Sequence, residues 1–166
     1  AGCRSRQRPP ASRFPARQLR PIPPDRSPPH PPPQTSIEND HDLRLLRHNY
    51  IWTPGAVLYR RAALEASGGF RAEAEGSADL DLNLRIARLW PVRCHGEVVL
   101  EYRDHDASQS ANAAAMLRSS VTVRRAQRAF LAGRRDYEAA LQEGIRENRA
   151  YYGARLAGSL AAHLQT

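Results

Sequence analysis

The chain has 166 residues, a formal net charge of +8 and 25 basic residues, all of which are arginine. This length predicts one domain with a buried core, and no apolar run is long enough to form a membrane span or a signal peptide. The two cysteines, Cys3 and Cys94, lack the spacing of a disulfide scaffold or a zinc site. We therefore expect a cytoplasmic protein without an integral membrane span.

The first 36 residues differ in composition from the rest of the chain. Residues 1–33 contain 11 of the 13 prolines, seven arginines and one acidic residue, Asp25. Such a segment buries too little apolar surface to offset the entropy of ordering, so residues 1–36 are predicted to be disordered. Because this segment carries six of the eight net positive charges, the remainder is close to neutral, and we expect no nucleic-acid partner. An arginine-rich nucleic-acid binder is the alternative, and it predicts salt-sensitive binding.

The next residues predict short elements separated by turns. Polar residues 38–42 are suited to begin a helix that ends near His48. The Pro54-Gly55 pair requires a turn, after which residues 56–60 are predicted to form a strand.

A second short helix is predicted at residues 61–66, before two glycines. Gly68 and Gly69 suit a left-handed helix stop or a close approach of the backbone to another group. Phe70 is predicted to pack back toward the core, and residues 71–76 to form a small acidic loop.

The remaining elements are longer. Residues 79–89 predict a helix that is apolar around much of its circumference and therefore well buried, with Leu80, Leu84 and Ala87 on one stripe and Leu82, Ile86 and Leu89 on another. Residues 92–102 predict one or two strands. Residues 111–132 and 136–164 predict two helices whose alternating Arg and Glu indicate solvated faces.

Asp79 and Asp81 are the acidic residues most suited to chemistry. They are two positions apart near a helix start, so they point in different directions and do not form a paired acid and base. In the structural interpretation, Ser77 or Asp79 caps the helix and Asp81 interacts with its dipole. In the catalytic interpretation, Asp79 is an ionised base that a substrate hydroxyl can approach beside a glycine-rich loop.

The region from Asn49 to Ser110 resembles the C-terminal half of a family 2 glycosyltransferase of the GT-A fold. Four blocks carry the resemblance in order: Asn49 to Arg61, Gly68-Gly69-Phe70, Ala78-Asp79-Leu80-Asp81-Leu82-Asn83-Leu84-Arg85, and Tyr102-Arg103-Asp104-His105 with Ser108 and Ser110. The resemblance implies an α/β fold, the C-terminal half of a Rossmann-like GT-A domain over residues 37–110. It is followed by a helical extension, 111–166, which is also similar to bacterial members.

The resemblance also implies an activity, the inverting transfer of a sugar from a nucleotide-sugar donor to an acceptor hydroxyl. Asp79 matches the catalytic base of the family, although Ala78 and Leu80 replace its usual Glu and aromatic neighbours. The matching substrate-binding positions are Gly68, Gly69, Phe70, Asp81, Arg85 and Arg103. Asp81 and Arg85 are four positions apart on the predicted helix, so we expect them to form an ion pair and to support the site. His105 matches a position that completes the shell of a divalent metal, Mn²⁺ or Mg²⁺, in some members. A surface role for His105, and a helix stop with an aromatic plug at 68–70, are the structural alternatives.

The Asp-x-Asp motif and nucleotide-binding strands of the family have no counterpart in this sequence. Asp40-His41-Asp42 precedes a short helix instead of ending a strand, so we interpret it as an N-cap cluster. We therefore expect a fragment without the donor-binding half, inactive by itself. The expected partners are a nucleotide sugar and a glycan or lipid-linked acceptor of the bacterial cell envelope, with peripheral association at the inner membrane face as an option. A non-catalytic helical interaction module, or a degenerate transferase remnant, is the alternative function.

Overall fold

A computed structural model describes residues 14–22, 39–103, 112–131 and 133–164 of the chain. These residues form two strands, β1 (Phe14–Ile22) and β2 (Val92–Arg103), and five α-helices. The helices are α1 (His41–Arg47), α2 (Arg61–Ala66), α3 (Ala78–Leu89), α4 (Ala113–Ala126) and α5 (Arg135–Leu164). Within the same ranges, the chain also forms 3₁₀ turns at Pro54–Ala56, Ala72–Ala74 and Gln127–Phe130.

The two strands pair in parallel and form one two-stranded sheet, with Phe14 opposite Val92 and Ile22 opposite Arg103. The prediction of disorder for residues 1–36 differs from the structure at β1, where pairing with β2 supplies the backbone hydrogen bonds that an isolated extended segment lacks. The other residues of that segment lie outside the described part of the chain.

Helix α3 lies at the centre of the fold because all seven residues from Leu80 to Ile86 are buried. One side of α3 joins a core formed with α1, α4 and α5, to which Leu45, Leu80, Leu84, Val121 and Leu141 contribute. The other side joins a smaller cluster with α2, built on Ala63, Leu82 and Ile86. The two predicted apolar stripes of this helix are confirmed, except at Leu89, which is exposed at the helix end.

Several predicted boundaries agree with the structure and some do not. The helix that ends near His48, the helix at 61–66 and the helix at 136–164 are confirmed. The strand at 56–60 is wrong: Ala56 ends a 3₁₀ turn, Val57 forms an isolated bridge and the next residues are irregular. The predicted loop at 71–76 contains the turn Ala72–Ala74. The helix at 111–132 is shorter than predicted, since the chain tightens into Gln127–Phe130.

The Asp40-His41-Asp42 cluster begins α1, as predicted, but its side chains serve tertiary contacts. Asp40 occupies the N-cap position at φ 55° and makes no side-chain capping hydrogen bond. The Tyr137 hydroxyl donates to Asp42 Oδ2 at 2.7 Å, and His41 Nδ1 lies 2.7 Å from the Tyr50 hydroxyl. The cluster therefore fixes α1 to α5 and to the segment that follows α1.

Helix α5 has 30 residues, so it is about 45 Å long. Its N-terminal half is packed through Tyr137, Ala140, Leu141 and Ile145. From Arg149 onward the described side chains are exposed or half-buried, and Tyr151, Leu160 and Leu164 are among the exposed apolar ones. No helix in the described ranges, α5 included, has the length and apolarity needed to cross a membrane.

Candidate functional site around Asp79

Asp79 is the second residue of α3 and is half-buried. Its Oδ1 accepts a hydrogen bond of 2.8 Å from the Leu80 backbone N–H, so it interacts with the unpaired amides of the helix start. Of the two residues expected to cap α3, Ser77 occupies the N-cap position without a side-chain capping bond, and Asp79 is the one that accepts an amide of the first turn.

The electrostatic environment of Asp79 favours a carboxylate that can accept a proton. Burial raises its pKa above the ordinary value of 3.8, while the backbone amides of Leu80 and Asp79 oppose that rise. Among the side chains that the structure describes, no arginine or histidine forms an ion pair with Asp79, whereas Asp81, two residues on, is paired. A partly desolvated carboxylate without a cationic partner is a stronger base than an exposed one.

Tyr59 and Asn83 lie beside Asp79. Asn83 follows Asp79 by one turn on the same face of α3, and its Oδ1 accepts the Tyr59 hydroxyl proton at 2.7 Å. Burial raises the pKa of the Tyr59 hydroxyl, and the negative charge of Asp79 raises it further. Tyr59 is therefore a neutral phenol close to the Asp79 carboxylate, and its hydroxyl proton is donated to Asn83.

The Gly68–Gly69 turn ends α2 in the geometry of a Schellman motif. The Gly68 N–H donates to Glu65 O and the Gly69 N–H to Leu64 O, both at 3.0 Å, and φ is +78° at Gly68 and +66° at Gly69. The left-handed helix stop predicted for these residues is confirmed. A Cβ atom at either glycine would have no heavy atom within 4 Å, so this turn presents open backbone.

The Asp81–Arg85 pair anchors that turn to α3. Both residues are buried, and Arg85 Nε and Nη2 lie 2.9 and 2.7 Å from Asp81 Oδ2. Arg85 Nη1 also donates to Ser67 O, and Nη2 donates to Gly69 O at 2.7 Å. These contacts confirm the predicted i,i+4 pair and engage the guanidinium inside the protein, where it holds the glycine turn against α3.

Phe70 lies outside the core, and the predicted packing against the core is wrong. Its side chain is 51% exposed, and its ring meets the Tyr59 ring edge-on, with 6.3 Å between centroids and an interplanar angle of 86°. The residue follows two glycines held at positive φ, which direct the chain away from α2. Phe70 and the glycine turn therefore form an open edge next to Tyr59.

The side chains of the other two predicted site residues lie outside the described part of the chain. Arg103 is the last residue of β2, and His105 lies outside the described residues. Over the described part of the chain, no three His, Cys, Asp or Glu side chains are grouped as metal ligands. His105, the predicted ligand, lies outside that part of the chain, so the divalent metal, Mn²⁺ or Mg²⁺, stays a prediction from the resemblance, and no chemical step is derived through it.

Sequence reasoning missed Tyr59 and Asn83 as members of the site. The available signal was the spacing of Asn83, a polar residue one helical turn after Asp79 within a run of apolar and paired residues. No such spacing links Tyr59, which reaches α3 through tertiary packing over a separation of 24 residues.

Comparison with models of protein families, with curated proteins and with solved structures found no match to this chain. The resemblance to family 2 glycosyltransferases rests on the four sequence blocks.

Proposed function

We propose that this chain carries the acceptor side of an inverting glycosyltransferase, with Asp79 as the catalytic base. The observation that carries the proposal is the state of the Asp79 carboxylate, which is half-buried at the start of α3, has a raised pKa and forms no ion pair with a described cation. A general base needs a pKa moved toward the working pH and a position that a hydroxyl can reach. The open backbone of the Gly68–Gly69 turn supports the second requirement.

The proposed reaction is a single displacement at the anomeric carbon of a nucleotide sugar. Asp79 removes the proton of the acceptor hydroxyl while the oxygen of that hydroxyl forms a bond to the anomeric carbon. The bond from that carbon to the diphosphate breaks with its electron pair, a nucleoside diphosphate leaves, and the configuration inverts. Asp79 is then a neutral acid that returns its proton to solvent.

The acceptor is proposed to lie along the open edge formed by the Gly68–Gly69 turn and Phe70. Absent side chains at 68 and 69 allow a hydroxyl-bearing ring to approach the backbone, and the exposed Phe70 ring offers an apolar surface. Asp81 and Arg85 hold this turn in place through Ser67 O and Gly69 O. Donor binding, together with Arg103, His105 and a divalent metal, remains a proposal from the resemblance alone.

The test measures nucleoside diphosphate release from a panel of nucleotide sugars and envelope glycan acceptors by the protein expressed from its native gene. We expect Asp79→Asn to lower kcat about 100-fold or more, the range for loss of a general base. The matched control is Asp136→Asn, which removes an exposed carboxylate at the first turn of α5 and is expected to retain activity. Equal release by wild type and Asp79→Asn would exclude Asp79 as the base.

The second candidate, a non-catalytic helical interaction module, has one observation in its favour. The C-terminal half of α5 exposes Tyr151, Leu160 and Leu164, and exposed apolar groups on one element are typical of contact surfaces. It predicts that Asp79→Asn leaves the cellular phenotype unchanged while Leu160→Glu with Leu164→Glu abolishes it. The glycosyltransferase proposal predicts the reverse.

A further inference from the structure

Asn83 is buried in a way that the proposed reaction does not yet explain. Only 4% of the residue is exposed, its Oδ1 accepts the Tyr59 proton, and its Nδ2 has no partner among the described residues. The surrounding crevice is lined by apolar side chains, among them Leu45, Ile51 and Ile86, and has room for about one water molecule. Burying a polar side chain with an unpaired N–H group lowers stability. The hydrogen bond that Asn83 makes to Tyr59 is therefore expected to have a functional role.

The reason lies in the single proton of the Tyr59 hydroxyl. A phenol beside a carboxylate ordinarily donates to it, and such a bond stabilises the ionised form and weakens the base. Here the hydroxyl donates to Asn83 Oδ1 instead, although Asn83 and Asp79 are neighbours one turn apart on α3. Among the described donors, the Asp79 oxygens interact with backbone amides, those of Leu80 and of Asp79 itself.

We propose that Asn83 is a positioning residue that holds the Tyr59 hydroxyl proton away from Asp79, so that the carboxylate stays free to take the proton of the acceptor. The inference rests on the proposed role of Asp79 as the base, and it adds that the hydrogen bond between Tyr59 and Asn83 keeps the Asp79 carboxylate able to accept a proton. Tyr59 acts as a neutral neighbour, since burial and the Asp79 charge both favour its protonated form.

The other titratable groups near Asp79 do not replace this arrangement. On α3 itself, Asp81 and Arg85 are paired with each other and with the glycine turn. The negative charge of Asp79 also raises the pKa of Tyr152, on α5, but burial is the main cause of that rise and the Asp79 charge is the smallest contribution. Of these groups, Tyr59 is the one whose proton acceptor lies on the same face of α3 as Asp79.

The experiment is an NMR titration of the Asp79 carboxyl group in the full chain, with four variants. Asn83→Leu keeps the side-chain volume in an apolar crevice and frees the Tyr59 hydroxyl, which is then expected to donate to Asp79 and increase its acidity about tenfold. Tyr59→Phe with Asn83→Leu removes the donor and is expected to cancel that change. Tyr59→Phe alone is expected to leave the acidity of Asp79 within about twofold of wild type. Gln127→Leu removes another buried polar side chain, near the far end of α3, and is expected to change nothing.

The double variant separates a positioning role from a structural one. A merely structural Asn83 predicts that Asn83→Leu leaves the Asp79 titration unchanged, or that the double variant titrates like Asn83→Leu, and either result overturns the inference. Circular dichroism and thermal unfolding identify a variant that fails to fold, in which case Asn83→Ala takes the place of Asn83→Leu in the same cycle. The titration does not depend on sugar transfer, so it tests this inference separately from the proposed activity. If Asp79→Asn releases nucleoside diphosphate as fast as wild type, the proposed activity of Asp79 is contradicted, but the titration result is not.

Discussion

The α-carbon of Gly144, on α5, lies directly against the Leu46 carbonyl oxygen at the C-terminus of α1. A Cβ built on Gly144 would lie 2.0 Å from Leu46 O and 2.8 Å from Arg47 O, both backbone atoms. Arg124 of α4, which is 1% exposed, donates from Nε to the same Leu46 oxygen at 3.0 Å. The end of α1 is therefore held between α4 and α5. The Arg124 guanidinium binds its carbonyl oxygen, and the lack of a side chain at Gly144 leaves room for the backbone.

The first prediction is that Gly144→Ala strongly destabilises the protein. The added methyl group meets backbone that cannot move without separating α1 from α5, so we expect a loss of about 3 kcal/mol or more in the free energy of unfolding. The control is Gly153→Ala on the same helix, where a Cβ meets nothing within 4 Å. There, higher helix propensity is expected to add about 0.5–1 kcal/mol. Urea unfolding measures both, and two variants of equal stability would contradict the close contact at Gly144.

The second prediction concerns the buried pair Asp81 and Arg85. Arg85→Leu leaves the Asp81 carboxylate buried without its partner and removes the bonds to Ser67 O and Gly69 O, so we expect a loss of about 3–5 kcal/mol. Replacing both residues with leucine is expected to recover much of that loss. Arg47→Leu is the control, because it breaks an exposed pair with Glu143 and is expected to cost less than about 1 kcal/mol. Denaturant unfolding of the three variants is the measurement, and a double variant no better than Arg85→Leu would argue against an uncompensated charge.

The third prediction separates backbone strain from crowding at Gly68. Its φ of +78° disfavours any side chain, but a Cβ there meets nothing within 4 Å. We therefore expect Gly68→Ala to cost about 1–2 kcal/mol and Gly68→Leu to cost a similar amount, because only the conformation is penalised. Gly68→Asn is expected to cost less, since asparagine tolerates this conformation. Thermal unfolding of the three variants checks this order, and a leucine penalty well above that of alanine would contradict the open backbone proposed for the acceptor.

The fourth prediction follows from the raised pKa of Asp79. Because the folded state holds the Asp79 proton more tightly than the unfolded state, folding is favoured at low pH. The contribution is fully present below the unfolded value near 3.8 and is lost as pH rises through the higher folded pKa. Asp79→Asn is therefore expected to be more stable than wild type at pH 7, with the difference vanishing below about pH 4.

Denaturant unfolding as a function of pH measures that difference. Asp136→Asn is the control, since Asp136 is exposed in the first turn of α5 and its loss is expected to destabilise the helix by a few tenths of a kcal/mol at pH 7. If Asp79→Asn also proves less stable than wild type at pH 7, the carboxylate has a stabilising partner and is not the free base proposed here.

Local sequence patterns determined the helices and the stop after α2. The apolar periodicity of α3 predicts its two buried sides, and the Gly68–Gly69 pair predicts a left-handed turn, because both depend on neighbouring residues. Phe70, by contrast, is an apolar residue whose exposure depends on where the turn directs it. The sequence predicted a packed aromatic there because it carries no information about that direction.

The resemblance carried by the four sequence blocks predicted Asp79 as a base beside a glycine turn. What only the tertiary structure decided is the environment that would make it one: partial burial, the absence of a paired cation among the described residues, and the Tyr59 proton given to Asn83. Those features depend on contacts between residues far apart in the chain, and side-chain pKa values follow from such contacts and from burial. Helical spacing could place Asn83 next to Asp79, but only packing brought Tyr59 to them both.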